Sequence, residues 1–235
     1  MSEYIVKGKN VKLNQQNFVA KGGEGMIFQV GKTAYKIYPD LSKMIPEAKI
    51  KELSTIATDN IIAPLDLVYN NKKQIVGFTM KWLGGDIVAL CKLFVNGFRQ
   101  TNNITNDHIL ELVENMKEII SYIHKNNFVM VDGNELNYMV RDDFVTPYFI
   151  DTNSWQTPSF PATAIMPSIR DYTTDKFSNL TDWFSFAIVS FQLFVGVHPF
   201  KGKHPKFKRN DFKGRILSKL SVLNKDVRIP PNVRD

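Results

Sequence analysis

Apolar and polar positions divide this chain into two kinds of pattern. From Phe18 to Val30 apolar and β-branched residues are dense. They break at Gly31-Lys32 and resume over Thr33–Tyr38, which predicts a β-hairpin. Pro46–Ile56 changes to helical spacing, with Ile50, Leu53 and Ile56 on one side and Pro46 suited to a first turn. Ile62–Tyr69 and Gln74–Met80 read as two further strands separated by Asn70-Asn71. Beyond Gly84-Gly85, Asp107–Lys125 carries Ile109, Leu112, Met116, Ile119, Ile120 and Ile123 on one face, the mark of an amphipathic helix. Short strands are expected at Tyr138–Arg141 and Pro147–Ile150, and no internal repeat is visible. The expectation is an α+β protein with a β-rich part before Trp82–Gly85 and a mainly helical part after it.

One stretch is almost wholly apolar, Trp183–Val197 (WFSFAIVSFQLFVGV). At 15 residues, with Ser185, Ser190 and Gln192 inside it, it falls short of the roughly 20 residues a bilayer requires and reads as a core helix. The whole chain has 235 residues, 43% hydrophobic and 23% charged, which suits a packed fold and argues against disorder. Its single cysteine, Cys91, excludes an intramolecular disulfide and any paired-cysteine metal or redox motif. With no apolar segment after the MSEYIVKGKN start, a reducing, cytoplasmic setting without membrane association is expected.

The net charge of +7 is concentrated. Lys201, Lys203, Lys206, Lys208, Arg209, Lys213 and Arg215 face a single acid, Asp211, within the Lys201–Arg215 stretch. Such a stripe offers a surface for nucleic acid or other phosphates, or a solvated loop face, and Gly202 and Pro205 favour a loop. Phe207 and Phe212 could stack on bases or anchor the loop.

Candidate chemistry begins at Gly22-Gly23-Glu24-Gly25, where glycines between two strand-like stretches would let backbone N–H groups approach phosphates. A P-loop ending at Gly31-Lys32-Thr33 is excluded, since its first glycine would fall on Met26 and IFQV is strand-like. Lys36 alternates with apolar neighbours on the following strand, where it could reach nucleotide phosphates. Glu47 or Glu52 on the next helix could hold it. Asp132 and Asn137 stand five apart after the long helix, and Asp151 ends a strand. Asn137 and Asp151 offer oxygen ligands of the kind Mg²⁺ takes together with substrate phosphates, leaving Asp132 to orient a hydroxyl. Taken singly, each could equally be a turn residue.

In order, these segments resemble the protein-kinase fold over nearly the whole chain. Ala20–Ile27 is similar to the glycine loop, Ala34 and Lys36 to the strand lysine motif, and Met80–Gly85 to the hinge. Met130-Val131-Asp132 through Asn137 resembles the catalytic loop and Asp151-Thr152-Asn153 the metal motif. Asp182 resembles the buried aspartate that braces the catalytic loop, with His124 and His198 structural. A narrower resemblance, in Asp132–Asn137, Ile150–Gln156, Phe191–Phe200 and Ser221–Pro231, is to bacterial and phage kinases sometimes joined to helix-hairpin-helix DNA-binding segments.

The resemblance implies a bilobal arrangement, with an N-lobe over 1–83 and a C-lobe over 84–235. It implies a phosphotransferase using ATP and Mg²⁺, most simply on Ser/Thr of a protein substrate. Asp132, Lys36 and Glu47 would be catalytic, Glu47 being preferred to Glu52. Gly22, Gly23, Gly25, Ile27, Ala34, Lys36, Met80, Lys81, Leu83 and Met139 would bind the nucleotide, and Asn137 and Asp151 the metal.

Several positions depart from the family. Met130-Val131 stand where His-Arg is usual, Asn134 replaces a lysine, and Asn153 replaces a glycine. Met166-Pro167-Ser168 is the nearest equivalent of Ala-Pro-Glu in the activation segment, Thr157–Tyr172. The chain also stops where the large lobe usually adds helices, as a fragment or a trimmed version would. These departures leave two rivals to the enzyme: a pseudokinase scaffold that binds nucleotide, and a nucleic-acid-associated module using the basic stripe.

Overall fold

The computed structural model describes residues 2–162 and 164–229. Pro230 and Pro231 of the Ser221–Pro231 resemblance, and Thr163 of the activation segment, lie outside the described residues. The chain divides into two units. One comprises the chain through Ile87 with Phe149–Asn153 and Thr157–Phe160. The other comprises Val88–Tyr148, Ser154–Gln156 and Pro161 onward.

The first unit is built on seven antiparallel strands: β1 (Ser2–Val6), β2 (Lys9–Leu13), β3 (Phe18–Lys21), β4 (Met26–Val30), β5 (Thr33–Ile37), β6 (Leu67–Asn70) and β7 (Ile75–Lys81). Their order is β2-β1-β6-β7-β5-β4-β3, which places β5 between β4 and β7. Alternation on β5 separates two apolar faces. Tyr35 and Ile37 pack with Leu13, Val68 and Val76, whereas Tyr38, just past the strand, packs with Phe78 and with Ile50 of α1 (Glu47–Ser54). Lys36 shares the second face. The glycine loop interrupts the long apolar stretch between β3 and β4, and Gly22 N–H closes it on the Gly25 carbonyl at 2.9 Å.

Two glycines keep β5 in place. A Cβ on Gly77 would lie 2.0 Å from the Lys36 carbonyl oxygen, and one on Gly25 would lie 2.8 Å from that of Ile37. No side chain fits at either position without moving backbone.

A later segment of the chain completes this unit. Phe149 bridges Ile61 in parallel, accepts from Ile62 N–H at 2.8 Å and donates to Asn60 O at 2.7 Å. The Thr152 hydroxyl reaches the Ile62 carbonyl at 3.4 Å.

The second unit is mainly helical, with α2 (Asn96–Thr101), α3 (Asn106–Lys125), α4 (Asn179–Val195) and α5 (Phe212–Leu217). Strands β8 (Ile87–Ala89), β9 (Tyr138–Arg141) and β10 (Pro147–Phe149) form a small sheet in the order β10-β9-β8. Thr105 caps α3 by accepting from His108 N–H, and the helix buries Ile109, Leu112, Met116, Ile120 and Ile123. Helix α4 is the apolar segment, begun by a Ser178 capping box and ended by Gly196 at φ 80°. Among the described residues no helix is long and apolar enough to cross a membrane.

The basic stripe is partly helical rather than all loop. Within it Arg215 is fully buried, donating to the carbonyls of Lys201, Gly202, Phe207 and Lys208. One of the seven cations is therefore an internal staple, withdrawn from any surface contact.

Candidate functional site

Lys36 is carried by the middle of β5, paired with Ile27 on β4 and Phe78 on β7. Its side chain is 11% exposed. The ammonium donates to Asn153 Oδ1 at 3.0 Å, meets Glu24 Oε2 at 3.3 Å and lies 3.7 Å from Asp151 Oδ1. Asn153 Nδ2 donates to the same Glu24 oxygen at 3.2 Å, closing a ring of three side chains. Asp151 has φ 57°, a left-handed backbone that turns the chain sharply after the strand. The sequence-identified lysine and the metal-motif carboxylate thus converge within the first unit, although 115 positions separate them.

The Tyr38 phenol borders this group, with the Lys36 ammonium 5.4 Å from its ring centroid. Burial and the charges of Glu24 and Asp151 push its ionisation well above the ordinary tyrosine value. Its hydroxyl is buried with no hydrogen-bond partner among the described residues.

The helix glutamate expected beside Lys36 lies elsewhere. Glu47 closes on Lys51 one turn along, at 2.6 Å, on the exposed side of α1. Glu52 accepts from Ser159 N–H at 3.3 Å; hydrogen bonds from Ser159 and Thr157 hold its carboxyl below the usual range. The carboxylates at Lys36 are Glu24 and Asp151, so neither helix glutamate holds it in this structure. Glu24 was visible in the sequence only as a member of the glycine loop. At about 100° per residue, Glu47 and Lys49 flank the Ile50–Leu53 stripe on opposite sides. The structure buries Lys49, which is 5% exposed, and leaves Glu47 half-buried.

The remaining nucleotide candidates of this unit are Gly22, Gly23 and Gly25 in the β3–β4 loop, Ile27 on β4, Ala34 on β5 and Met80 and Lys81 on β7. Leu83 lies just beyond β7. Ala34 faces Met80 across the β5–β7 pair, and the Lys81 ammonium is engaged with Asp59 at 2.6 Å. Met139 lies on β9 in the second unit.

The second unit holds Asp132 and Asn137. The Asn137 amide donates to the Asp132 carbonyl at 2.8 Å, fixing the loop between them. Asp132 Oδ1 accepts from Met166 N–H at 2.8 Å, so the segment around Met166-Pro167-Ser168 docks on Asp132. Asn134, where a lysine is usual, is buried and serves a turn by accepting from Leu136 N–H at 2.8 Å.

Asp182 fixes the loop backbone from beneath. Fully buried at the start of α4, it accepts from Met130 N–H and Val131 N–H at 2.8 Å each and is joined to His124 Nε2 at 2.9 Å. Val131 needs that support. Its φ of 62° is rare for a β-branched residue, and it immediately precedes Asp132. His198 joins Ser168 O at 2.9 Å and accepts from Phe200 N–H at 3.1 Å, a structural role.

Among the described residues no cluster of three or more His, Cys, Asp or Glu is arranged to hold a metal. A site completed by nucleotide phosphates needs fewer protein ligands, and Asp151 in the first unit and Asn137 in the second each carry an oxygen of the kind Mg²⁺ takes.

No family model matches the sequence, and no curated protein does. Solved structures do. The ROP18 kinase domain, determined in complex with AMP-PNP and sucrose, aligns with a TM-score of 0.63 at 10% identity, over 84% of this chain and 68% of that one. At that identity the likeness speaks for fold alone: the chain has an α+β, protein-kinase-like fold.

Proposed function

We propose that this protein is a bilobal kinase-type phosphotransferase that moves the γ-phosphate of ATP to a hydroxyl, with a protein Ser/Thr the first acceptor to test. The observation that carries the reading is the convergence of Lys36 with Asp151 and Asn153, in a protein-kinase-like fold. A strand lysine gathered to the carboxylate of an Asp-x-Asn turn under a glycine loop is poorly explained by packing alone. The bound AMP-PNP of ROP18 gives the same direction.

In this reading the Gly22–Gly25 loop covers the phosphates and Lys36 binds and orients them. Asp132 accepts a hydrogen bond from the acceptor hydroxyl and aims it at phosphorus. Asp151 and Asn137 are the oxygen donors that would hold Mg²⁺, which would supply neutralisation of phosphate charge. Asp182 keeps the Met130–Asp132 backbone in register for that task. The Met166 N–H contact orients the Asp132 carboxylate and leaves its second oxygen for substrate.

A pseudokinase reading draws on Asn134, which spends its side chain on a turn and offers no cation. Transfer of label from γ-labelled ATP with Mg²⁺, onto the protein itself and a generic basic protein, separates the two. Transfer by the wild type that falls at least about 100-fold in Asp132→Ala supports the enzyme. ATP binding without transfer in the wild type supports the scaffold.

A further inference from the structure

The fold adds to part of the basic stripe a cation from beyond it. Lys201, Lys203, Arg209 and Arg228 line one cavity of about 450 Å³ in the second unit, together with Gly202 and the apolar Val197 and Ile229. Among the described residues no carboxylate lines it, and none of the four cationic side chains has an ion pair. Asp211, the one acid of the stripe, is occupied at the head of α5, where it accepts from Gly214 N–H at 2.9 Å. The backbone behind these cations is fixed. Lys203 and Arg228 exchange both N–H···O bonds, each at 2.9 Å, which sets the two residues side by side. At Gly202 φ is 100°, and a Cβ would lie 2.5 Å from Val227 Cγ1 and 3.0 Å from the Arg228 carbonyl oxygen, so glycine lets the two segments come this close. Buried Arg215 holds the rest. Its guanidinium takes the carbonyls of Lys201 at 3.3 Å and Gly202 at 2.9 Å, and those of Phe207 at 3.3 Å and Lys208 at 3.1 Å, next to Arg209. Like charges held together repel, and an anion relieves that cost.

We propose that this cavity is a binding site for a phosphomonoester, with Lys201, Lys203, Arg209 and Arg228 on the phosphoryl oxygens and Val197 and Ile229 against the carbon arm that carries them. The site uses none of the residues placed in phosphotransfer. A phosphomonoester carries about −1.5 to −2 charge at pH 7 and three acceptor oxygens, which suits a convergent set of guanidinium and ammonium donors. A nucleic-acid backbone carries one charge per phosphate and is matched by cations spread along a track. Here Lys206, Lys208 and Lys213 of the stripe do not line the cavity, whereas Arg228 is brought into it from outside the stripe.

Calorimetric titration of the full chain with phenyl phosphate, a phosphoserine peptide, the same peptide unphosphorylated and a single-stranded oligonucleotide tests the site, using wild type, Arg228→Gln, Lys203→Gln, Lys206→Gln and Lys36→Met. Phenyl phosphate is expected to bind the wild type, and Arg228→Gln and Lys203→Gln should each weaken it about tenfold. Lys206→Gln removes the same charge outside the cavity and should leave binding within about twofold. Thermal midpoints of Arg228→Gln and Lys203→Gln should match wild type, since both residues are exposed and the bridge between them is main chain. A phosphopeptide that binds more tightly than phenyl phosphate, with its unphosphorylated form silent, assigns the phosphate to a protein; equal binding assigns it to a small ester. Absence of binding by both phosphomonoesters overturns the site, as does a loss in Lys206→Gln as large as that in Arg228→Gln, the mark of diffuse charge. Oligonucleotide binding without phosphomonoester binding gives the surface to nucleic acid and overturns the proposal. Binding lost in Lys36→Met and kept in Arg228→Gln belongs to the first unit and overturns it too.

Discussion

Asp182 shows how one buried carboxylate can set the position of a neighbour, Asp132, through the backbone that leads to it. Its two oxygens accept from successive N–H groups, and the second belongs to Val131, whose left-handed backbone sets where Asp132 begins. Asp182→Asn replaces one acceptor by a donor facing N–H groups that cannot move away. Such a buried mismatch costs about 3 kcal/mol or more, read as a lowered urea midpoint. Loss of phosphate transfer is expected at urea concentrations where the variant is still folded, because Val131 is free to relax. The aspartate, its position at the head of the apolar helix and the loop it braces were all legible in the sequence. Lys49 was not read from it. Helical periodicity identified a stripe, yet the choice between its flanks depends on which side the sheet and the glycine loop occupy. Had charge type been set aside, Lys49 was as eligible by angle as Glu47. The outward pair with Lys51 is what placed Glu47 on the solvent flank.

At the scale of elements, β5 is the part on which most else depends. It carries Lys36 on one face and core residues on the other, and it lies between two neighbours held close by glycine. Gly77→Ala would set a methyl carbon 2.0 Å from the Lys36 carbonyl oxygen, so β7 must separate from β5. A loss of about 2 kcal/mol or more in denaturant stability is expected, with weaker ATP binding at temperatures where the variant remains folded. Alternation and turn residues made β3–β5 and β7 readable, with edges shifted by a few residues. The residues of the basic stripe were readable only as composition. Arg215 has the same charge as its neighbours, and nothing local marks it as the one that turns inward. Its partners are four main-chain carbonyls, groups present at every residue and therefore silent in a sequence.

For the molecule as a whole, His198 gives a pH dependence with a definite sign. Burial, aided by the charge of Lys201 and opposed by the bond to Ser168 O, pulls its pKa from 6.5 down to about 4. The unfolded chain therefore binds the proton more readily between those values. Stability is fully present above about pH 6.5, falls as the pH drops toward 4, and levels off for this group below that. The effect is on the order of 3 kcal/mol at most. Thermal melts between pH 7 and 4 should show the decline, and His198→Gln, weaker at pH 7, should show a shallower one.

The strand that brings Asp151 and Asn153 to Lys36 arrives late in synthesis. Ile62 and Asn60 find backbone partners in Phe149, and Lys36 meets Asp151 and Asn153, both made after position 150. Between the emergence of Ile87 and that of Phe149, about 3–12 s pass at ~5–20 residues per second. During that interval every strand of the seven-stranded sheet has been made, but the segment that pairs with Asn60, Ile61 and Ile62 has not. A gene cut after position 87 would make that interval permanent, leaving two isoleucines and an open backbone edge to solvent or to a chaperone. The first unit is thus completed only by a segment made after Val88–Tyr148 of the second, and a stop codon before position 149 would leave it without Phe149–Asn153.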